Sequence, residues 1–212
     1  MSRGVSTGAA SCSAEVDLHF VKGELTGVNE KKFDHPTQAI QYLEKIAGPF
    51  GIGRDVHVGD TIIGIKGRVG FEASAPVLII KGHHALEKHV LSKWQLSWKD
   101  QLAQFYGNWL HEGQYLDPIM RDIETFLTNS QNHVTGSVSI QLYPYRYQVL
   151  GIDSEYDLMS SKFGKYGEMN LGWTGDDVKG FTKIFGNQVS IYHQVTNSVS
   201  ASNQYPESSK ES

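Results

Sequence analysis

Period-two alternation opens the readable part of the chain: Ala14, Val16, Leu18 and Phe20 interleave with Glu15, Asp17 and His19. Such spacing predicts a half-buried strand. Lys22-Gly23-Glu24 turns the chain, and residues 25–28 offer a short return strand. Asp34 or Thr37 is then placed to cap a helix carrying Ile40, Leu43, Ile46 and Ala47 on one face, with Gly48-Pro49 as its stop. A glycine-punctuated stretch, 51–70, holds a β-rich run at 61–65. After Pro76 comes the longest helical pattern. Leu91, Trp94, Trp98, Leu102, Phe105 and Trp109 follow 3-4-4-3-4 spacing and share one stripe. A packed core or subunit interface explains that stripe better than a ligand box. Residues 117–132 predict a further helix with Met120, Ile123 and Leu127 inward.

The second half changes period. Residues 136–142 and 145–152 alternate and join at Pro144, which predicts a hairpin. Thr174 caps a short helix whose Asp176 and Asp177 suit its positive N-terminus. Residues 188–195 read as a last strand or arm, and 196–212 as a polar, disordered tail. Strands and helices mixed without strict βαβ order predict an α+β fold, with antiparallel or mixed sheet packed by long helices. The domain proper spans 14–195, preceded by a disordered Ser-, Gly- and Ala-rich arm at 1–13.

Composition narrows the function classes. The chain has 212 residues, 39% hydrophobic and 20% charged, which suits one soluble domain. Cys12 is its only cysteine, so no internal disulfide or cysteine-based zinc site can form. That composition fits a reducing, cytoplasmic setting. A formal charge of −4 gives no general drive toward nucleic acid or anionic membrane. No run approaches the roughly 18 apolar residues of a membrane span, and residues 1–13 lack the apolar core of a signal peptide.

Several chemistries are missing from the sequence. It has no GxxxxGK[ST] loop, no G-x-S-x-G elbow and no HExxH. Gly51-Ile52-Gly53-Arg54-Asp55-Val56 lacks the third glycine of a dinucleotide loop and reads as a turn. His83 and His84 are adjacent and His89 lies five residues on, so no pair has the i, i+4 geometry of a helical metal site. His83 and Glu87 have that spacing and read as a surface pair. No metal and no catalytic residue is assigned.

Ordered motifs carry a family resemblance. Gly64-Ile65-Lys66-Gly67-Arg68 followed by Phe71-Glu72 resembles the G-[IM]-K-S-R-G-I-Y-E segment of argininosuccinate synthases. Ser130-Gln131, Val134, Gly136 and Val138 resemble the family's SQ-x-x-V-x-G-x-V segment, and Gly151 and Ser154 follow at family spacing. Gly180-Phe181 after Asp176-Asp177 resembles its D-A-x-G-F turn, and residues 109–118 look like one branch of the family. The likeness covers roughly Ala14 to Val195. It implies the C-terminal synthetase and multimerisation domain, an α+β unit whose C-terminal arm helps build a homotetramer.

The resemblance also implies a reaction. Family members join citrulline and aspartate with ATP and magnesium, giving argininosuccinate, AMP and pyrophosphate in arginine biosynthesis and the urea cycle. Their ATP sits on an N-terminal domain with a Ser-Gly-Gly-x-Asp-Ser loop, which also carries the aspartate contacts. That loop is not in this sequence, so no cofactor is expected on this stretch and no ligase activity from it alone. Two contrasting readings follow: part of a ligase, or a non-catalytic oligomerisation or ligand-binding module of the same fold. An in-frame or neighbouring Ser-Gly-Gly-x-Asp-Ser segment favours the first.

Two citrulline contacts, a Glu and a Tyr twelve positions apart, carry over to Gly59 and Phe71. Gly59 supplies no carboxylate and Phe71 has lost the hydroxyl. Asp60 could replace the acid by a one-residue shift, or Gly59-Asp60 is only a turn. An acid beside a substrate's α-nitrogen pairs with its ammonium, and N-acylation removes that charge. Losing the acid therefore suggests N-acylated citrulline as an alternative to the free amino acid. Arg68 could grip a substrate carboxylate bidentately or pair with Glu72. Lys66 and Glu72 match the family segment, Arg54 reads as structural, and Arg121 as a solvated or interface charge.

Overall fold

In the computed structural model, residues 13–159 and 172–202 are described. The 1–13 arm lies almost wholly outside them, as does the tail beyond 202. The first unit is built on a five-stranded antiparallel sheet. Strands β1 (Ala14–Val21), β2 (Glu24–Val28), β3 (Lys31–Lys32), β6 (Gly136–Tyr143) and β7 (Arg146–Asp153) lie in the order β3-β2-β1-β6-β7. Register sets Val16 opposite Ile140 and Leu18 opposite Val138, so the apolar members of both strands share one face. Val16, Leu18, Phe20, Val138, Ile140 and Leu142 are all buried there. Each such side chain contributes about 1.5–3 kcal/mol by leaving water.

Helices α1 (Pro36–Ala47) and α2 (Ser74–Val90) cover that face, giving the α+β fold expected from the sequence. Ala39, Leu43 and Ala47 of α1, and Ala75, Leu78 and Leu86 of α2, complete the core. Gly82 lets α2 approach closely, since a Cβ there would meet Leu18 Cδ1 at 3.3 Å and Ile140 Cδ1 at 3.4 Å. The cap of α1 is His35 rather than Asp34 or Thr37: its Nδ1 accepts the Thr37 N–H at 3.2 Å, and Pro36 opens the first turn. Gly48-Pro49 ends α1 by tightening into a 3-10 turn, Gly48–Phe50.

The tryptophan stripe begins later than its spacing suggests. Leu91 is extended and buried at a break, and α3 (Lys93–His111) starts afresh behind it. Ser92 and Gln95 form a capping box, which makes a new helix start where one continuous stripe was expected. No residue of α3 is buried. Trp94 is 66% and Trp98 56% exposed, so the stripe is not packed core within the described residues. Helix α4 (Pro118–Ser130), capped by Asp117, buries Met120 and Ile123, with Leu127 half-buried. Tyr106 Oη on α3 donates to Glu124 Oε1 on α4 at 2.7 Å. That bond raises the Tyr106 pKa.

A separate unit holds α5 (Gly175–Phe185) and α6 (Asn187–Ser202). Thr174 caps α5 with Asp177 in reciprocal hydrogen bonds, which hold the Asp177 carboxyl below its ordinary pKa. The strand expected at 188–195 is helix instead, and it continues past Thr196 into the stretch read as tail. Unbroken i, i+4 hydrogen bonding from Gly186 onward outweighs the β-branched residues there. No described helix is long and apolar enough to cross a membrane.

Candidate functional site

Residues 54–72 form a two-stranded ribbon rather than a strand at 61–65. Strand β4 (Arg54–Asp60) pairs antiparallel with β5 (Lys66–Glu72), and 61–65 is the turn between them. Thr61 closes it: its hydroxyl donates to Ile65 O at 2.6 Å and its N–H to the same oxygen at 3.1 Å. Gly64 takes φ +80° inside the loop, and Ile62 and Ile63 point into solvent at 76% exposure. At the base, Gly53 has φ +73°, and a Cβ there would meet Ala73 O at 2.8 Å. Glycine is required at that position.

The register sorts the candidate residues onto two faces. Arg54 opposes Glu72, Val56 Gly70, Val58 Arg68 and Asp60 Lys66; between them Asp55 opposes Phe71, His57 Val69 and Gly59 Gly67. Cross-strand partners share a face and neighbours along a strand do not. Gly59 and Phe71 therefore lie on one face, whereas Asp60, Arg68 and Glu72 lie on the other. Asp60 faces away from the Gly59 side, because neighbours along a strand point to opposite faces. It is already paired with Lys66.

Glu72 pairs with Arg54, Oε1 to Nε at 3.1 Å, not with Arg68. That pair gives Arg54 a structural partner and leaves Arg68 without an ion pair among the described residues. The ion pair lacks hydrogen-bond geometry at Arg54 Nε. An open depression of about 640 Å³ at the base of the ribbon is lined by Arg54, Asp55, Val56, Gly70, Phe71 and Glu72.

Two residues on the Gly59–Phe71 face were not foreseen. Asp55 sits directly across from Phe71, and its Oδ1 accepts the Val56 N–H at 2.6 Å. The His57 imidazole leans over Gly59, with Nε2 2.7 Å from where a Cβ at 59 would stand. The face thus has an acid at 55 and fills the space above Gly59 with an imidazole. The turn held the signal: centring the ribbon on Thr61 and Ile65 fixes every pair along it.

A second polar cluster lies away from the ribbon. Glu87 is fully buried, so its pairing with His83 is no surface contact. Its Oε1 accepts Gln131 Nε2 at 2.8 Å, while Oε2 faces Lys99 Nζ at 2.9 Å as an ion pair without hydrogen-bond geometry. His83 Nε2 donates to Gln131 Oε1 at 2.9 Å, and His84 Nδ1 lies 3.6 Å from Glu87 Oε2. Burial lowers the His83 pKa against the raising effect of Glu87. The cluster joins α2, α3 and the turn after α4. Arg121 is partly exposed, bonded to Glu124 and stacked on Tyr115. Among the described residues no group of three or more His, Cys, Asp or Glu is placed to hold a metal.

Comparison with known proteins places this geometry in a family. Residues 6–192 match the model of the Arginosuccinate synthase C-terminal domain. The chain belongs to the argininosuccinate synthase family, as its C-terminal domain. It is 35% identical over 180 residues to the argininosuccinate synthase of Xanthomonas campestris, covering 85% of this chain and 45% of that protein. The enzyme of that name from Methanocaldococcus jannaschii is 32% identical over 177 residues, covering 84% and 44%. That from Dictyoglomus thermophilum is 33% identical over 180 residues, covering 84% and 44%. The chain thus spans somewhat under half the length of these argininosuccinate synthases.

Proposed function

We propose that this domain supplies the citrulline side of an argininosuccinate synthase that joins citrulline and aspartate at the expense of ATP. Family membership over residues 6–192 supports the reading, together with the ribbon that presents positions 59 and 71 on one face. In the proposed reaction the ureido oxygen of citrulline attacks the α-phosphorus of ATP and pyrophosphate leaves. The aspartate amine then attacks the ureido carbon, and AMP departs with the former ureido oxygen. This domain's part is to hold citrulline; ATP, magnesium and aspartate belong to an N-terminal ATP-binding domain, without which the domain is inactive. The cytoplasm is its proposed setting.

Free citrulline suits the ribbon better than an N-acylated form. The acylated alternative rests on a face without an acid, and Asp55 puts one across from Phe71. The exposed tryptophans of α3 and the exposed Phe181, Ile184 and Phe185 of α5 support assembly into a homotetramer. A non-catalytic oligomerisation module would use the same apolar surfaces without need of the ribbon.

Isotope tracing tests the reaction. The complete enzyme is given ATP, aspartate and citrulline labelled with ¹⁸O in the ureido group. The label is expected in AMP, mole for mole with argininosuccinate. Unlabelled AMP, or ATP hydrolysis without argininosuccinate, would refute the reaction.

A further inference from the structure

We propose that strand β7 pairs antiparallel with β7 of a second copy of this chain, about a two-fold axis at Val149, so that Arg146 of each copy meets Asp153 of the other. The proposal deepens the homotetramer reading by naming one contact surface, and it needs nothing from the ribbon or the ligase reaction. The two edges of the five-stranded sheet are unlike each other. At one edge β3 has only two residues, both lysines, and short charged edges discourage further pairing. At the other, β7 runs for eight residues with no lysine and no proline. No described strand lies beyond it. Every second residue of such an edge turns its N–H and C=O outward, and those groups template another strand.

A strand can pair with its own copy only in a restricted register. Hydrogen-bonded and non-hydrogen-bonded pairs alternate along an antiparallel ladder, so a two-fold axis must pass through one residue facing its own copy. Full-length pairing of all eight residues has no such centre. The bulge in β7 supplies one: Ile140 faces Val149 and Ser139 faces Gly151, which leaves Leu150 out of the ladder. The rest of the strand then centres on Val149. Counting outward, Gln148 faces Gly151 of the second copy, Tyr147 faces Ile152 and Arg146 faces Asp153.

Side-chain chemistry agrees with that register. Tyr147, Val149 and Ile152 pack half-buried against the core, opposite Leu142, Ile140 and Val138 of β6. A second β7 would set Ile152 beside Tyr147 and Val149 beside its own copy, covering apolar surface that the edge leaves half open. Arg146 and Asp153 both lie on the other face, across from Tyr143 and Ser137. Both are exposed, and neither has an ion pair among the described residues. Arg146 lies 4.0 Å over the Tyr143 ring, which holds its guanidinium at the strand end. The two-fold register joins opposite charges at both ends, and any other register loses both pairs at once.

Sedimentation velocity on this chain tests the contact through charge reversal at the two exposed positions. Arg146→Asp alone, or Asp153→Arg alone, sets like charges together at both ends and should weaken self-association at least about tenfold. The double variant restores opposite charges and should associate as wild type does. An equal mixture of the two single variants should do the same, because each supplies the charge the other lacks. Circular dichroism checks that every variant is folded. The β7 contact is overturned by single variants that associate as wild type does, by failure of either restoration, or by a wild-type chain that stays monomeric. Association that survives every reversal leaves the homotetramer reading standing on other surfaces. Charge-sensitive dimers that never form tetramers would sink that reading and leave the β7 contact in place.

Discussion

Glu87 is the residue on which most of the polar structure turns. A buried carboxylate is tolerated only while its partners hold, and removing one typically costs about 3–5 kcal/mol. Lys99→Met should therefore destabilise the domain on that scale, as read by urea unfolding; a loss under about 1 kcal/mol would mean that water or His84 replaces the lysine. The neighbouring His83 adds a pH dependence. Its folded pKa lies below the ordinary 6.5, so the unfolded chain binds the extra proton first. The neutral-histidine contribution is complete above 6.5 and is lost as pH falls through the lowered value. Thermal midpoints should drop as pH falls below 6.5, and His83→Gln should flatten that drop; an unchanged profile would assign it elsewhere. Sequence spacing found the His83–Glu87 pair but not its burial, because Lys99 and Gln131 reach it from elements whose docking no local pattern encodes.

At the scale of elements, the ribbon and the core behave differently. Leu86 is fully buried on α2, and Leu86→Ala should cost about 2–5 kcal/mol, measured by denaturant unfolding. The ribbon has no such anchor: Val56, Val58, Val69 and Phe71 are all exposed on a two-stranded unit. An isolated ribbon of two strands is marginal in water. Its amides are expected to exchange with deuterium far faster than those of β1 and β6, and to slow when an ATP-binding half is added. Equal protection of ribbon and sheet in this chain by itself would contradict that picture. The sheet and α4 were legible because alternation and caps are local signals. The ribbon is hidden in the sequence because Ile62, Ile63 and Ile65 imitate a strand while Thr61 and Gly64 close a turn. Residues 188–195 imitate a strand for the related reason that β-branched residues tolerate a helix. Of the candidate site, Gly59 and Phe71 share one face of the ribbon, and Asp60, Arg68 and Glu72 share the other. Strand parity separates them, and parity is visible only once the register is known.

For the whole molecule, family and fold agree, and the proposed reaction draws on an ATP-binding half as well. The matched region spans under half of the related synthases, and the described surface carries Trp94, Trp98 and the ribbon tip uncovered. A domain with this much apolar surface is suited to working against further protein. The most direct measurement is reconstitution: this chain and a separately produced ATP-binding half, assayed apart and together with ATP, aspartate and citrulline. Argininosuccinate should form only in the mixture, and Phe71→Ala in this chain should raise the KM for citrulline several-fold while leaving that for ATP unchanged. Argininosuccinate formed by the ATP-binding half alone, or a mixture of folded halves that yields none, would contradict the account.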